Sequence, residues 1–152
     1  MNILANFFSY CFHPLLMPSY GLLIFFNSNS YINYAIPQEI KQATLILVVM
    51  STFLVPLIIT LLLLNKGYIN SLEMATKKER IFPYTFTIVF YIFTVYTLKQ
   101  AMIPPLIFDF MIGALASVLL AFFINLKWKI SAHMIGIGGL LGALICTTLL
   151  LE

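Results

Sequence analysis

Long apolar stretches separated by short polar ones set the rhythm of this chain. Ala43 to Leu64 carries no charge, and Ile81 to Ile103, Leu106 to Asn125 and His133 to Leu151 repeat the pattern. About 18 apolar residues, coiled as a helix, can cross a hydrocarbon core of about 30 Å. Pro104 and Pro105 suit the start of the fourth run, and Lys99 lies near enough to the end of the third to reach the headgroups. The stretch from Ile3 to Phe26 is as long but less regular, with His13, Pro14, Pro18 and Gly21 inside it. It reads as a kinked span, or as a broken helix whose freed carbonyls neighbouring helices cover. The predicted fold is an all-α polytopic transmembrane helix bundle of about five spans, at 3–26, 43–64, 81–103, 106–125 and 133–151. Four spans with a re-entrant start is the rival. No repeat or linker divides residues 1–152, so a single membrane domain is expected.

Composition removes whole classes of function. Hydrophobic residues make up 62% of the chain and charged residues 9%, with a mean hydropathy of +1.03. Soluble domains carry about 25% charged residues. So few charges cannot cover a water-facing surface, and disorder needs the opposite composition. A net charge of +3, without a dense basic face, argues against nucleic acid as a partner. Cys11 and Cys146 form no metal-ligand or disulfide pattern. The chain reads as an integral membrane protein with membrane lipids as its surroundings.

Of the 8 Lys and Arg residues, Lys66, Lys77, Lys78, Arg80, Lys127 and Lys129 fall in the second and fourth connections, 65–80 and 126–132. Alternating spans put those two connections on one face, which the positive-inside rule would make cytoplasmic. Lys41 and Lys99 belong to the other. Lys77, Lys78 and Arg80 stand just before the third span. Lys127 and Lys129 stand just before the fifth, where Ser131 occupies an N-cap position and His133 the first turn. Helix N-termini already carry unpaired N–H groups and partial positive charge. Cations gathered at two such ends call for an anion, and phosphate suits both the N–H groups and the arginine fork. The plainer reading is that these cations only orient the spans and meet anionic headgroups.

Two short stretches resemble the motifs of the type 2 phosphatidic acid phosphatase (PAP2) superfamily. Ile130-Ser131-Ala132-His133 is similar to its Pro-Ser-Gly-His motif, and Lys77 to Pro83 to its Lys-x6-Arg-Pro motif, with two residues between Arg80 and Pro83 where the motif has them adjacent. The resemblance is to short bacterial PAP2-like proteins, and so implies a bacterial inner (cytoplasmic) membrane. It further implies a phosphatase acting on a lipid phosphate or diphosphate. His133 would be its catalytic acid, with Lys77, Lys78, Arg80, Ser131 and Lys129 around the phosphate, and no metal or other cofactor. The third motif, which supplies the family's histidine nucleophile, has no counterpart: no histidine follows His133, and Glu152 is the one later acid. A C-terminal truncation is therefore expected, with hydrolysis confined to a longer form. The alternative function is a non-catalytic bundle, transporter-like or scaffold, whose basic face binds headgroups.

Three other features stay open. His13 could reach the basic site if the first span is broken, or simply pack beside a kink. Asp109 sits about one turn into the fourth span, near Lys99 across a short connection, as a structural pair or an intramembrane acid. Gly138 and Gly142 make a GxxxG, repeated by Gly139 and Ala143, suited to close helix packing inside the bundle or to a homo-oligomer. The topology makes a direct prediction: single cysteines at Lys66 and Lys127 should label from the same side of the membrane, and one at Lys41 from the other. Labelling of all three from one side would refute it.

Overall fold

A computed structural model of the chain describes residues 11–28, 34, 36–72, 74, 76–101 and 103–151. Every element is helical: α1 (Pro14–Asn27), α2 (Gln38–Asn65), α3 (Lys78–Gln100), α4 (Pro105–Lys127) and α5 (Ala132–Leu151). Three of them, α2, α3 and α4, are long and apolar enough to cross a membrane. The start of α4 at Pro105 follows from the proline's missing N–H, which costs nothing at a first helical position. α2 ends at Asn65 because Gly67 adopts a left-handed φ of 75° and turns its N–H, with that of Tyr68, back onto Leu64 O and Leu63 O.

The expected break in the first apolar stretch lies at Phe12 and His13. A 3₁₀ turn over Pro14–Leu16 then opens α1. From there α1 rises only about 21 Å, less than a hydrocarbon core. Residues 1–10 of the predicted span lie outside the described residues. A second irregularity went unpredicted. Within α2, Val49–Leu54 forms a π-helical segment, and Val55 N–H bonds back to Met50 O. Pro56 follows directly. It has no N–H to give, and its ring would crowd the carbonyl four residues back, so a widened turn ahead of it relieves both demands.

Each helix packs on its chain neighbours, and α1 closes the ring by lying against α5. The tight core gathers Leu22, Phe25, Ile36, Val48, Leu98, Ile107 and Met111, toward the end of the bundle that holds residues 36–37 and 103–104. The outer faces are bare and apolar, with Ile46 60% exposed, Val89 54% and Leu120 63%. Contiguous exposure of this kind marks a surface for lipid rather than water. Many hydroxyl groups on the helices are satisfied internally: Thr52, Thr60, Thr87, Thr97, Ser117 and Thr147 each donate to the carbonyl four residues earlier. Buried Thr94 donates at 2.6 Å to Ser51 and so ties α3 to the π segment.

Glycine packing sorts differently from the GxxxG expectation. At Gly136 a Cβ would come within 3.0 Å of Pro14 Cα, and at Gly139 within 3.5 Å of Ser117 Oγ. At Gly138 and Gly142 nothing lies within 4 Å; the close approaches inside the bundle belong to Gly136 and to Gly21, where a Cβ would meet the Phe110 ring, and the Gly139 contact is an ordinary van der Waals one. Gly136→Val should therefore lower the thermal midpoint in detergent by prising α1 from α5, at a cost of about 1–3 kcal/mol. Gly138→Ala should leave it unchanged or slightly raised, since alanine favours a helix.

Candidate functional site

The two basic connections meet at one end of the bundle, as the alternation of spans predicted. α3 begins with a 3₁₀ turn over Lys78–Arg80. Asn70 Nδ2 donates at 2.6 Å to Oε1 of the buried Glu79, and Thr76 Oγ1 accepts Glu79 N–H at 3.4 Å, which fixes the turn on the preceding loop. Arg80 then reaches two carbonyls: Nε donates to Met74 O at 3.1 Å, and Nη1 to Ile130 O at 2.5 Å. Met74 holds a left-handed φ of 48°, a conformation costly for a side chain other than glycine, and the guanidinium grips its carbonyl. The Ile130 bond joins residues 50 apart.

Two further bonds lock the loops together. Lys77 Nζ donates to Lys127 O at 3.0 Å, and Asn125 Nδ2 to Lys77 O at 3.1 Å. Asn125 is wholly buried at the end of α4, and its Oδ1 has no hydrogen-bond partner among the described residues. Beyond the loop, Ser131 Oγ accepts Met134 N–H at 3.4 Å, the N-cap bond expected from the sequence. Among the described residues the acceptors of Arg80 and Lys77 are neutral carbonyls, bonds that position the cations without cancelling their charge.

Beneath this end the helices part around a cavity of about 1010 Å³. Arg80, Ser131 and His133 line it, so three of the residues singled out in the sequence share one wall. Lys77 stands outside that lining and acts on the loop instead. Lys78 and Lys129 are exposed and also stand outside it. A 3₁₀ turn has three residues per revolution, so Lys78 and Arg80 must point apart.

Two other polar residues reach the cavity. Tyr84 lies four residues after Arg80, one turn along the same face, and its buried hydroxyl has no hydrogen-bond partner among the described residues. The i, i+4 spacing was readable; nothing in the sequence showed that this face looks inward rather than to lipid. His13, by sequence either a packed histidine or a member of the site, has its ring 6.0 Å from that of His133, centre to centre, at 73°. Its other ring neighbour is Phe53, at 6.4 Å in the π segment. The remaining walls are mostly apolar, among them Leu57, Val118, Ala121 and Leu140, and Asp109 lines the far reach on α4.

Chemically, this is a polar cap on a greasy chamber. It offers a guanidinium, two imidazoles, a phenol and a helix start capped by Ser131. Among the described residues no group of three or more His, Cys, Asp or Glu could hold a metal ion. Cys11 and Cys146 are free thiols. Comparison of the chain with protein families, with curated proteins and with solved structures finds no match.

The loop-to-loop bonds should differ in weight. Asn125→Leu leaves the Lys77 carbonyl without its buried donor and should destabilise the protein by about 1–3 kcal/mol in detergent unfolding. Lys77→Met removes an exposed bond and should cost no more than about 0.5 kcal/mol.

Proposed function

We propose that this chain is a PAP2-like integral membrane protein that binds the phosphate of a lipid phosphate or diphosphate at its basic end, as the phosphate-binding and acid-supplying part of a phosphatase. In this reading α1 and α5 enter the membrane beside the three long helices, giving five spans, and the basic end faces the cytoplasm of a bacterial inner membrane. Arg80 and the N–H groups after Ser131 hold phosphate oxygens, and His133 protonates the leaving oxygen. Lys77, Lys78 and Lys129 contribute longer-range positive potential. The histidine nucleophile of the family's third motif is not among these residues, so hydrolysis requires one from outside them. Gly138 and Gly142, open on their outer side, offer a contact for a second copy of the chain.

The observation that carries the reading is the Arg80–Ile130 bond. It sets a guanidinium beside the Ser131–His133 helix start, in the lining of one cavity. A second reading, a transporter-like or scaffold bundle whose basic end only meets headgroups, draws on the exposure of Lys78, Trp128 and Lys129. Phosphate and vanadate affinities in detergent separate the two. Arg80→Ala and His133→Ala should each lose about 1.5–3 kcal/mol of binding, the worth of a hydrogen bond to a charged group. Lys41→Ala should lose none. Equal affinity in all four proteins, or no binding below about 10 mM (weaker than about 3 kcal/mol), would favour the headgroup reading.

A further inference from the structure

His13 belongs to the N-terminal segment, more than a hundred residues from His133, yet the fold seats the two rings side by side in the wall that also holds Arg80. The seat is rigid. Pro14 follows directly and packs against Gly136 one turn into α5, where an added Cβ would come within 3.0 Å of it. Phe53 flanks the ring from the π segment of α2. His13 also caps its own helix: Nδ1 accepts the Leu15 N–H at 3.3 Å. That bond needs a lone pair on Nδ1, so the neutral ring carries its proton on Nε2, the one polar atom left for the cavity. Protonating Nδ1 would break the cap and would set a positive ring 6.0 Å from His133.

We propose that His13 is the second ligand-binding imidazole of this site, donating from Nε2–H to an oxygen of the bound phosphate beside His133. The proposal rests on the anion-site reading above and adds to it a residue that neither sequence motif contains. The two histidines then divide the work. His13, fixed as a neutral donor by its own backbone, orients the anion; His133 remains the ring that exchanges a proton. The Tyr84 hydroxyl, buried with no hydrogen-bond partner among the described residues, lines the same cavity and is available to give a further hydrogen bond to that ligand.

The test uses the full chain in detergent, titrated with inorganic phosphate and with vanadate. Two substitutions separate the two nitrogens of His13. His13→Asn keeps an acceptor near the Nδ1 position, where asparagine is a good cap, but has nothing at Nε2. His13→Gln carries an amide N–H out to about the Nε2 position. Phosphate binding should weaken about tenfold or more in His13→Asn and His13→Ala, the loss of one hydrogen bond to a charged group, and His13→Gln should recover most of it. The thermal midpoint should fall in His13→Ala and hold in His13→Asn. In the wild-type protein, phosphate should move the ¹⁵N resonance of His13 Nε2 and leave Nδ1 unprotonated. If His13→Asn binds phosphate as the wild type does, or the Nε2 resonance stays still at saturation, His13 is a helix cap only and the proposal is overturned. Should binding survive in that case yet still weaken in Arg80→Ala, the anion site stands without His13. If the wild type binds neither anion, both readings fall together.

Discussion

Arg80 sits at the start of a membrane helix and donates to two backbone carbonyls, one in the loop behind it and one 50 residues ahead. A carboxylate in either place would satisfy the guanidinium and also neutralise it. Carbonyl dipoles hold it in place while its charge remains. Because the second carbonyl belongs to Ile130, the same bond draws the start of α5 to the start of α3, with Ser131 and His133 following at once. The location of every other group at this end depends on that choice of acceptor. Lys77 repeats the device on Lys127 O, and Asn125 completes the joint from below.

The surrounding solvent explains why the bundle can be tight at one end and hollow at the other. In water, bare isoleucines and an apolar chamber would drive collapse; in lipid, an outward Ile46 or Leu120 costs nothing, and the helices need pack only where contacts repay it. The core residues around Leu22, Val48 and Met111 provide that packing away from the basic end. Internal back-bonding of threonine and serine removes the remaining polar demand on the helices. Among the described residues, the buried polar side-chain atoms left without a partner are concentrated near the joined loops, in the Tyr84 hydroxyl, Glu79 Oε2 and Asn125 Oδ1, with Ser19 Oγ the exception on α1.

Much of this was legible in the sequence because it depends on local pattern. Apolar length located α2 to α5 to within a few residues, whereas α1 begins at Pro14, well inside the predicted first span, and alternation put 65–80 and 126–132 together. Ser131 announced its cap. The illegible part depends on rotation and on distant contacts. Whether Tyr84 faces lipid or cavity is a matter of how α3 is turned, which a helix apolar all round does not encode. His13 gains its place from Gly136, a residue whose importance comes from what lies across from it. Gly138 and Gly142 carried the better-known spacing, yet nothing lies within 4 Å of a Cβ at either. Lys78 and Lys129 share the charge of Arg80 but not its direction.

The widened turn at Val49–Leu54 also bears on how this sequence could tolerate change in length. A π turn closes over one residue more than an α turn, so it acts as an insertion absorbed within a helix. Each residue of an α-helix advances the face by about 100°. Deleting a single residue from that segment would let α2 run as a regular helix up to Pro56 and would leave its apolar length almost untouched. It would also swing Leu57 and Thr60 out of the cavity wall and bring others in. A homologue one residue shorter here would look unaltered by hydropathy, yet the chamber it encloses would have a different lining.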